Sequence, residues 1–192
     1  MIFLLIGIGV VILYLWSVYN KFVTLRTRIK ASIQEIGNQL KRQADLIPNL
    51  VESTKGYLKH EKEIFKALTD ARKSILQATE KNDPQKMLDA HDALQKSIGQ
   101  FRAVLESTPQ VRAVEAVSQL MDELRDTADK VMYSRRTLID LSADYNVMIV
   151  TFPSSLVAKL FNFQAEKGLV TPVAGEHLAV SEKEAKTPKV EL

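Results

Sequence analysis

The stretch LKRQADLIPNLVESTKGYLKHEKE, Leu40 to Glu63, joins two long periodic segments and carries a proline, Pro48, where an uninterrupted helix would continue. Upstream, apolar residues fall at Phe22, Leu25, Ile29, Ile33, Ile36, Leu40 and Ala44; downstream they resume at Val51, Leu58, Phe65, Leu68, Ala71 and Ile75. Recurrent spacings of three and four put most of each series on one helical face, so both segments read as helix. Pro48 has no backbone N–H and crowds the turn before it, which predicts a kink or a turn between Leu46 and Asn49. A reversal there pairs the two helices antiparallel; a kink makes one bent rod. Asp45, placed before the proline, suits the cap of a restarted helix and favours the restart.

Toward the N-terminus, every residue from Ile2 to Trp16 is apolar or Gly, and the run closes with Tyr14, Trp16 and Tyr19 before Asn20-Lys21. As a helix, Ile2 to Tyr19 measures about 27 Å, close to a hydrocarbon core of roughly 30 Å. The anchor residues are Ile2, Phe3, Leu4, Leu5, Ile6, Val10, Val11, Ile12, Leu13, Tyr14, Leu15, Trp16 and Tyr19, with the aromatics where an interfacial belt belongs. Without a basic region before the run or a small-residue cleavage site after it, a retained anchor is expected rather than a cleaved signal peptide. Lys21, Arg26, Arg28 and Lys30 follow the span, so the positive-inside rule puts the bulk of the chain in the cytoplasm and the N-terminus outside; the alternative is a domain on the outer side. No proline separates anchor from first soluble helix, which predicts one helix leaving the bilayer without a hinge and continuing to about Ile47.

Beyond Ile75 the second helix is expected to end near Ala78 to Lys81, because Asn82-Asp83-Pro84 is a turn with Asp83 as N-cap and Pro84 opening the next helix. That third helix carries Met87, His91, Leu94, Ile98, Phe101 and Leu105 and stops at Ser107-Thr108-Pro109, where Thr108 is expected to cap its successor. A fourth helix, Pro109 to Thr151, keeps a three-four alternation at Val114, Val117, Met121, Leu124, Ala128, Val131, Leu138, Tyr145, Ile149 and Phe152. Only Arg135 and Ser142 interrupt it. Pro153 ends it, and Ser154 to Phe163 reads as a short amphipathic segment. From residue 164 onward Gly168, Pro172, Gly175 and Pro188 break a mixture with no sustained period, so residues 164–192 read as a flexible tail. The expected class is all-α: a single N-terminal transmembrane helix (1–19), then an elongated antiparallel helical bundle with coiled-coil-like seams (20–163).

Composition narrows the function. A net charge of +3 against 26 basic and 23 acidic residues is a mixed surface without the clustered excess that nucleic-acid binding wants. Cysteine is absent, which excludes disulfides, thiol catalysis, cysteine metal sites and a lipid anchor on Cys. The three histidines have no local nucleophile context, and neither phosphate-binding nor dinucleotide-binding glycine signatures occur.

Several separated blocks resemble the LemA family: Tyr19-Asn20 with Leu25-Arg26-Thr27-Arg28; the run from Gln39 to Glu52 ending in Pro-Asn-Leu-Val-Glu; Gly56-Tyr57 with Lys59-His60-Glu61-Lys62-Glu63; Asp144-Tyr145-Asn146; and Phe152-Pro153 leading to Leu160-Phe161-Asn162-Phe163. The resemblance implies a bacterial inner-membrane protein with an N-terminal membrane helix, a small extracellular N-terminus and a helical soluble domain. It implies no defined reaction. Gln164 to Gly168 departs from the family's aromatic-containing, Pro-rich continuation, while Pro188-Lys189-Val190-Glu191-Leu192 resembles the family's ending.

Few residues invite chemistry. His60 with Glu61 and Glu63 resembles a partial metal-ligand set, with His91 or Asp92 as the further ligand; the plainer reading is a solvated, charge-paired surface, and no metal or other cofactor is expected. His91 lies in an apolar series, as a buried pH-sensitive group or a half-covered one. Arg135, on an apolar seam, needs a partner from Asp140, Asp144 or Glu52 and is expected to set register. Phe152, Leu160, Phe161 and Phe163 either reach the bilayer beside Trp16 and Tyr19 or cap the bundle core. Candidate partner contacts are Arg135, Phe161, Phe163, Pro188, Val190 and Leu192. The reading is a membrane-anchored scaffold or interaction protein, not an enzyme, whose partners are the lipid bilayer, further copies of itself and a membrane protein. The alternative is an adaptor docking a membrane protease or signalling protein through Pro188 to Leu192.

Overall fold

The computed structural model describes residues 1–58, 61–112 and 114–169. Among the described residues there are six helices and no strand: α1 (Ile2–Lys55), α2 (Lys62–Glu80), α3 (Pro84–Ser107), α4 (Pro109–Arg112), α5 (Glu115–Val150) and α6 (Ser154–Leu160). The all-α expectation holds. Apolar run and first soluble segment form one helix of 54 residues, on the order of 80 Å long.

Pro48 neither reverses nor restarts the chain. α1 runs through it to Lys55, and Asp45, expected as a cap, is an exposed residue inside the helix. The carbonyl that the proline deprives of its donor four residues on is that of Ala44, and Arg72 of α2 supplies a replacement, its Nε donating to Ala44 O at 2.9 Å. A guanidinium from a neighbouring helix thus closes the gap that would otherwise favour a break. The reversal falls after Lys55, where the N–H groups of Tyr57 and Leu58 both donate to Thr54 O at 3.0 Å and Leu58 is buried.

The α2–α3 turn follows its local chemistry. Asp83 accepts from the N–H groups of Gln85 (3.1 Å) and Lys86 (3.2 Å), with Pro84 opening α3. The hydrogen bond from Lys86 N–H holds its carboxyl below the usual carboxylate range. Asn82 takes the left-handed conformation, φ 50°, that Asn tolerates. The expected helix from Pro109 to Thr151 is interrupted: α4 is one turn, and Val114 is extended (φ −79°, ψ 109°) before α5 begins. Val111 of that turn is fully buried, so α4 spends its one turn filling the core where the chain crosses from α3 to α5. Thr108 ends α3, its N–H donating to Leu105 O.

α1 and α5 pack antiparallel along their lengths, with Phe22 against Tyr145 at one end and Arg42 bridged to Glu123 at 3.0 Å toward the other. Phe22, Leu25, Ile29, Ile36 and Leu40 face Val117, Leu124, Val131, Leu138 and Tyr145 in a continuous core. The second buried row on α5 differs from expectation. Ala128 and Arg135 are half-buried, while Thr127 and Ser134, one position earlier, are buried, and further along Leu141 is buried together with Ser142. Small residues allow the helices to approach, and Thr127 satisfies its hydroxyl on Glu123 O at 2.9 Å within its own helix. α2 and α3 cover α1 from about Ile36 to Thr54, Met87 meeting Gly37, His91 meeting Gln43 and Arg72 meeting Ala44. The half nearer the apolar run is therefore a narrower stalk of α1, α5 and α6.

His91 is 2% exposed, its Nδ1 3.2 Å from Gln43 Oε1 across α1 and α3. Burial pushes the imidazole below its usual value of 6.5; Asp92 opposes the shift and Arg135 adds to it. The neutral ring is thus favoured in the fold, and the unfolded chain takes up the proton first. Stability is fully present above pH 6.5 and falls as pH drops from there toward the folded value. Urea titrations of the full chain between about pH 7.5 and pH 5 are expected to show that fall. His91→Gln is expected to flatten it; an equally steep profile in that variant removes His91 as the cause.

Candidate membrane-proximal interface

α5 returns to the level at which α1 leaves its apolar run, and an aromatic cluster closes the seam there. Phe22 is fully buried, edge-on to Tyr145 (ring centroids 5.6 Å, interplanar angle 84°) and stacked on Phe163 (4.7 Å, 19°). Tyr19 packs against Phe161 (4.8 Å) and Phe163 (5.7 Å). Burial raises the Tyr145 phenol above its usual range, against the nearby Arg26 charge and helped by Glu166.

Two asparagines aim this cluster. Asn162 adopts φ 55°, and the N–H of Phe163 turns back to Ala158 O at 2.9 Å, ending α6 and swinging Phe163 onto Phe22. Asn146 of α5 then holds the next segment with both ends of its amide: Nδ2 donates to Glu166 O at 2.9 Å and Oδ1 accepts from Glu166 N–H at 2.9 Å. Residues 164–169, expected at the head of a flexible tail, are tied to α5 through that clasp, and Leu169 packs against the core. Of the two roles expected for this segment, core capping is met by Phe163, Val157 and Ala158, while Phe152, Leu156, Leu160 and Phe161 remain exposed.

The apolar part of α1 carries one window of 18 residues with mean hydropathy 2.4, none of it buried. Ile2, Phe3, Leu4, Leu5, Ile6, Val10, Val11, Ile12, Leu13, Tyr14, Trp16 and Tyr19 are exposed and Leu15 is half-buried. A helix so long and apolar, touched by protein only near its last turns around Leu15 and Tyr19, is compatible with a single-pass anchor.

Other expected sites come together less. Arg135 is half-buried and forms no ion pair with Asp140, Asp144 or Glu52 among the described residues; Glu52 lies toward the far end of α1, and the guanidinium acts at longer range on His91. His60 lies outside the described residues, as do His177, Pro188, Val190 and Leu192. Among the described residues no group of three or more His, Asp or Glu is arranged to hold a metal ion, and Asp92 is exposed on α3 beside the buried His91. Sequence reasoning gave Arg72 no role and met Asn146 and Asn162 only as members of the blocks quoted above; for Asn162 the positive φ that Asn tolerates is a further local hint.

Fold and site together define a class, a helical bundle carried without a hinge on a long apolar helix. The family model described as the LemA family matches residues 32–191, and the chain belongs to the LemA family. No curated protein matches the sequence at a significant level.

Proposed function

We propose that this protein is a single-pass, membrane-anchored scaffold of the bacterial inner membrane, with its N-terminus outside and its helical bundle in the cytoplasm, that presents the bundle to partner proteins and to copies of itself. The observation that carries the reading is the unbroken passage of α1 from an uncovered apolar run into the bundle core, where Val18, Phe22 and Leu25 are already buried. An anchor continuous with a core helix orients the whole bundle relative to the bilayer. Lys21, Arg26, Arg28 and Lys30 just past the run support the cytoplasmic side.

Self-association has its own support. Met132, Ile139, Val147 and Val150 are exposed at spacings that place them on one face of α5, beside the narrow stalk. Tethering copies to one bilayer raises their effective concentration, so a weak contact along this stripe suffices. Crosslinking in intact membranes followed by mass spectrometry is expected to recover the full chain from the carbonate-washed membrane fraction, with links from the α5 stripe to a second copy. Recovery in the soluble fraction, or as a form lacking residues 1–19, overturns the anchor; links confined within single copies overturn self-assembly.

A further inference from the structure

α6 is a helix of 7 residues with apolar side chains on both sides. Val157 and Ala158 face the core, yet Leu156 (57% exposed) and Leu160 (69%) point away from it, joined by Phe152 (80%) and Phe161. A helix facing water would carry polar groups there. The position of the segment along α1 supplies the reason. Phe161 lines a groove of about 280 Å³ with Ile12, Leu15, Trp16 and Tyr19, and the only polar groups in that set of side chains are the Trp16 indole N–H and the Tyr19 hydroxyl, the pair that suits an interfacial belt.

If Ile2 to Tyr19 crosses the bilayer, its length of about 27 Å uses almost the whole hydrocarbon thickness of roughly 30 Å, leaving little freedom to slide outward. Ile12 to Trp16 then lie in or at the edge of the hydrocarbon, and Phe161, packed at their level, lies there too. Lys159, exposed on the same short helix, and Lys21 at the end of the span are positioned for the phosphate layer. We infer that the segment from Phe152 to Phe163 is a second membrane-binding element, a foot that inserts Leu156, Leu160, Phe152 and Phe161 among the acyl chains of the leaflet from which α1 emerges. This inference rests on the reading of α1 as a membrane span. The bilayer is thereby gripped at two points, by the span and by the foot, and the stalk is held upright by the aromatic cluster between them.

The absence of cysteine makes the test direct. The full chain, with one cysteine introduced at a time and nitroxide-labelled, is reconstituted into vesicles of phosphatidylethanolamine and phosphatidylglycerol. Power saturation then compares access of oxygen, which concentrates in acyl chains, with access of a water-soluble nickel chelate. Val11→Cys reports on the span, Asp129→Cys on exposed bundle, and Leu156→Cys and Leu160→Cys on the foot; all four positions are exposed, and circular dichroism checks that each variant folds. The expected result is an oxygen-to-nickel ratio at 156 and 160 several-fold above that at 129 and close to that at 11. Foot labels as open to nickel as that at 129, with the label at 11 still lipid-like, overturn the foot and leave the anchor standing. Foot labels shielded from both reagents mean a protein surface covers them, which also overturns it. An aqueous label at 11 removes the span, and the foot with it.

Discussion

Phe22→Ala is expected to lower the unfolding free energy by about 3–5 kcal/mol, the largest loss for any single truncation at the end of the bundle next to the apolar run. Phe22 is fully buried, and its ring is the shared surface on which Tyr145 stands edge-on and Phe163 stacks. Removing it opens a cavity between α1 and two segments more than a hundred residues further along the chain, which cannot collapse without moving α1 against α5. Phe22→Leu keeps much of the volume and is expected to cost less than about 1.5 kcal/mol. Phe152→Ala, at a side chain 80% exposed, is expected to stay within about 0.5 kcal/mol in detergent micelles. Urea denaturation of the full chain in micelles, followed by circular dichroism, checks all three. Hydrogen exchange adds a second readout: residues 161–169 are expected to lose protection in Phe22→Ala, because Phe163 loses its stacking partner and keeps only the tilted contact with Tyr19, its N–H bond to Ala158 O and the Asn146 clasp on Glu166. Equal losses for Phe22→Ala and Phe152→Ala would remove the cluster as the keystone of this end.

Arg72→Met is expected to cost about 1.5–3 kcal/mol, more than a surface arginine warrants, because it leaves Ala44 O without a donor at the turn that Pro48 has already weakened. The test is a double-mutant cycle. Pro48→Ala restores an N–H four residues after Ala44, so in that background Arg72→Met is expected to cost less than about 1 kcal/mol. The coupling isolates the 2.9 Å bond from Arg72 Nε to Ala44 O from the packing of the arginine stem. The same cost in both backgrounds would show that Arg72 acts through packing alone.

What could be read from residues in order was whatever local chemistry decides. The Asn82-Asp83-Pro84 turn, the ends of α2 and α3 and the long apolar run stand where residue type puts them, since a cap, a proline at the first helical position and a run of aliphatic side chains act within a few residues. Pro48 shows the limit of that reading. Its cost is local, but the donor that makes it good sits on another helix, 28 residues from the Ala44 carbonyl it leaves open. The break at Val114 is equally invisible, because the apolar spacing continues through it and only the crossing from α3 to α5 requires it. On α5 the buried Thr127 and Ser134 went uncounted because both are polar residue types; the Thr127 hydroxyl, satisfied inside its own helix, lets that residue behave as a small apolar one.

Sequence by itself determined that this protein is all-α, that it carries one long apolar helix at its N-terminal end, and that it belongs with the LemA family, because periodicity, run length and block identity are properties of the chain alone. Tertiary structure decided where α1 ends, which rows of α5 are buried, and that Phe22, Tyr145, Phe161 and Phe163 meet beside the end of the apolar run. Those outcomes depend on groups distant in sequence meeting in space. A hydrogen-bond donor, a stacking face or a clasping amide has no effect until another part of the chain is brought against it.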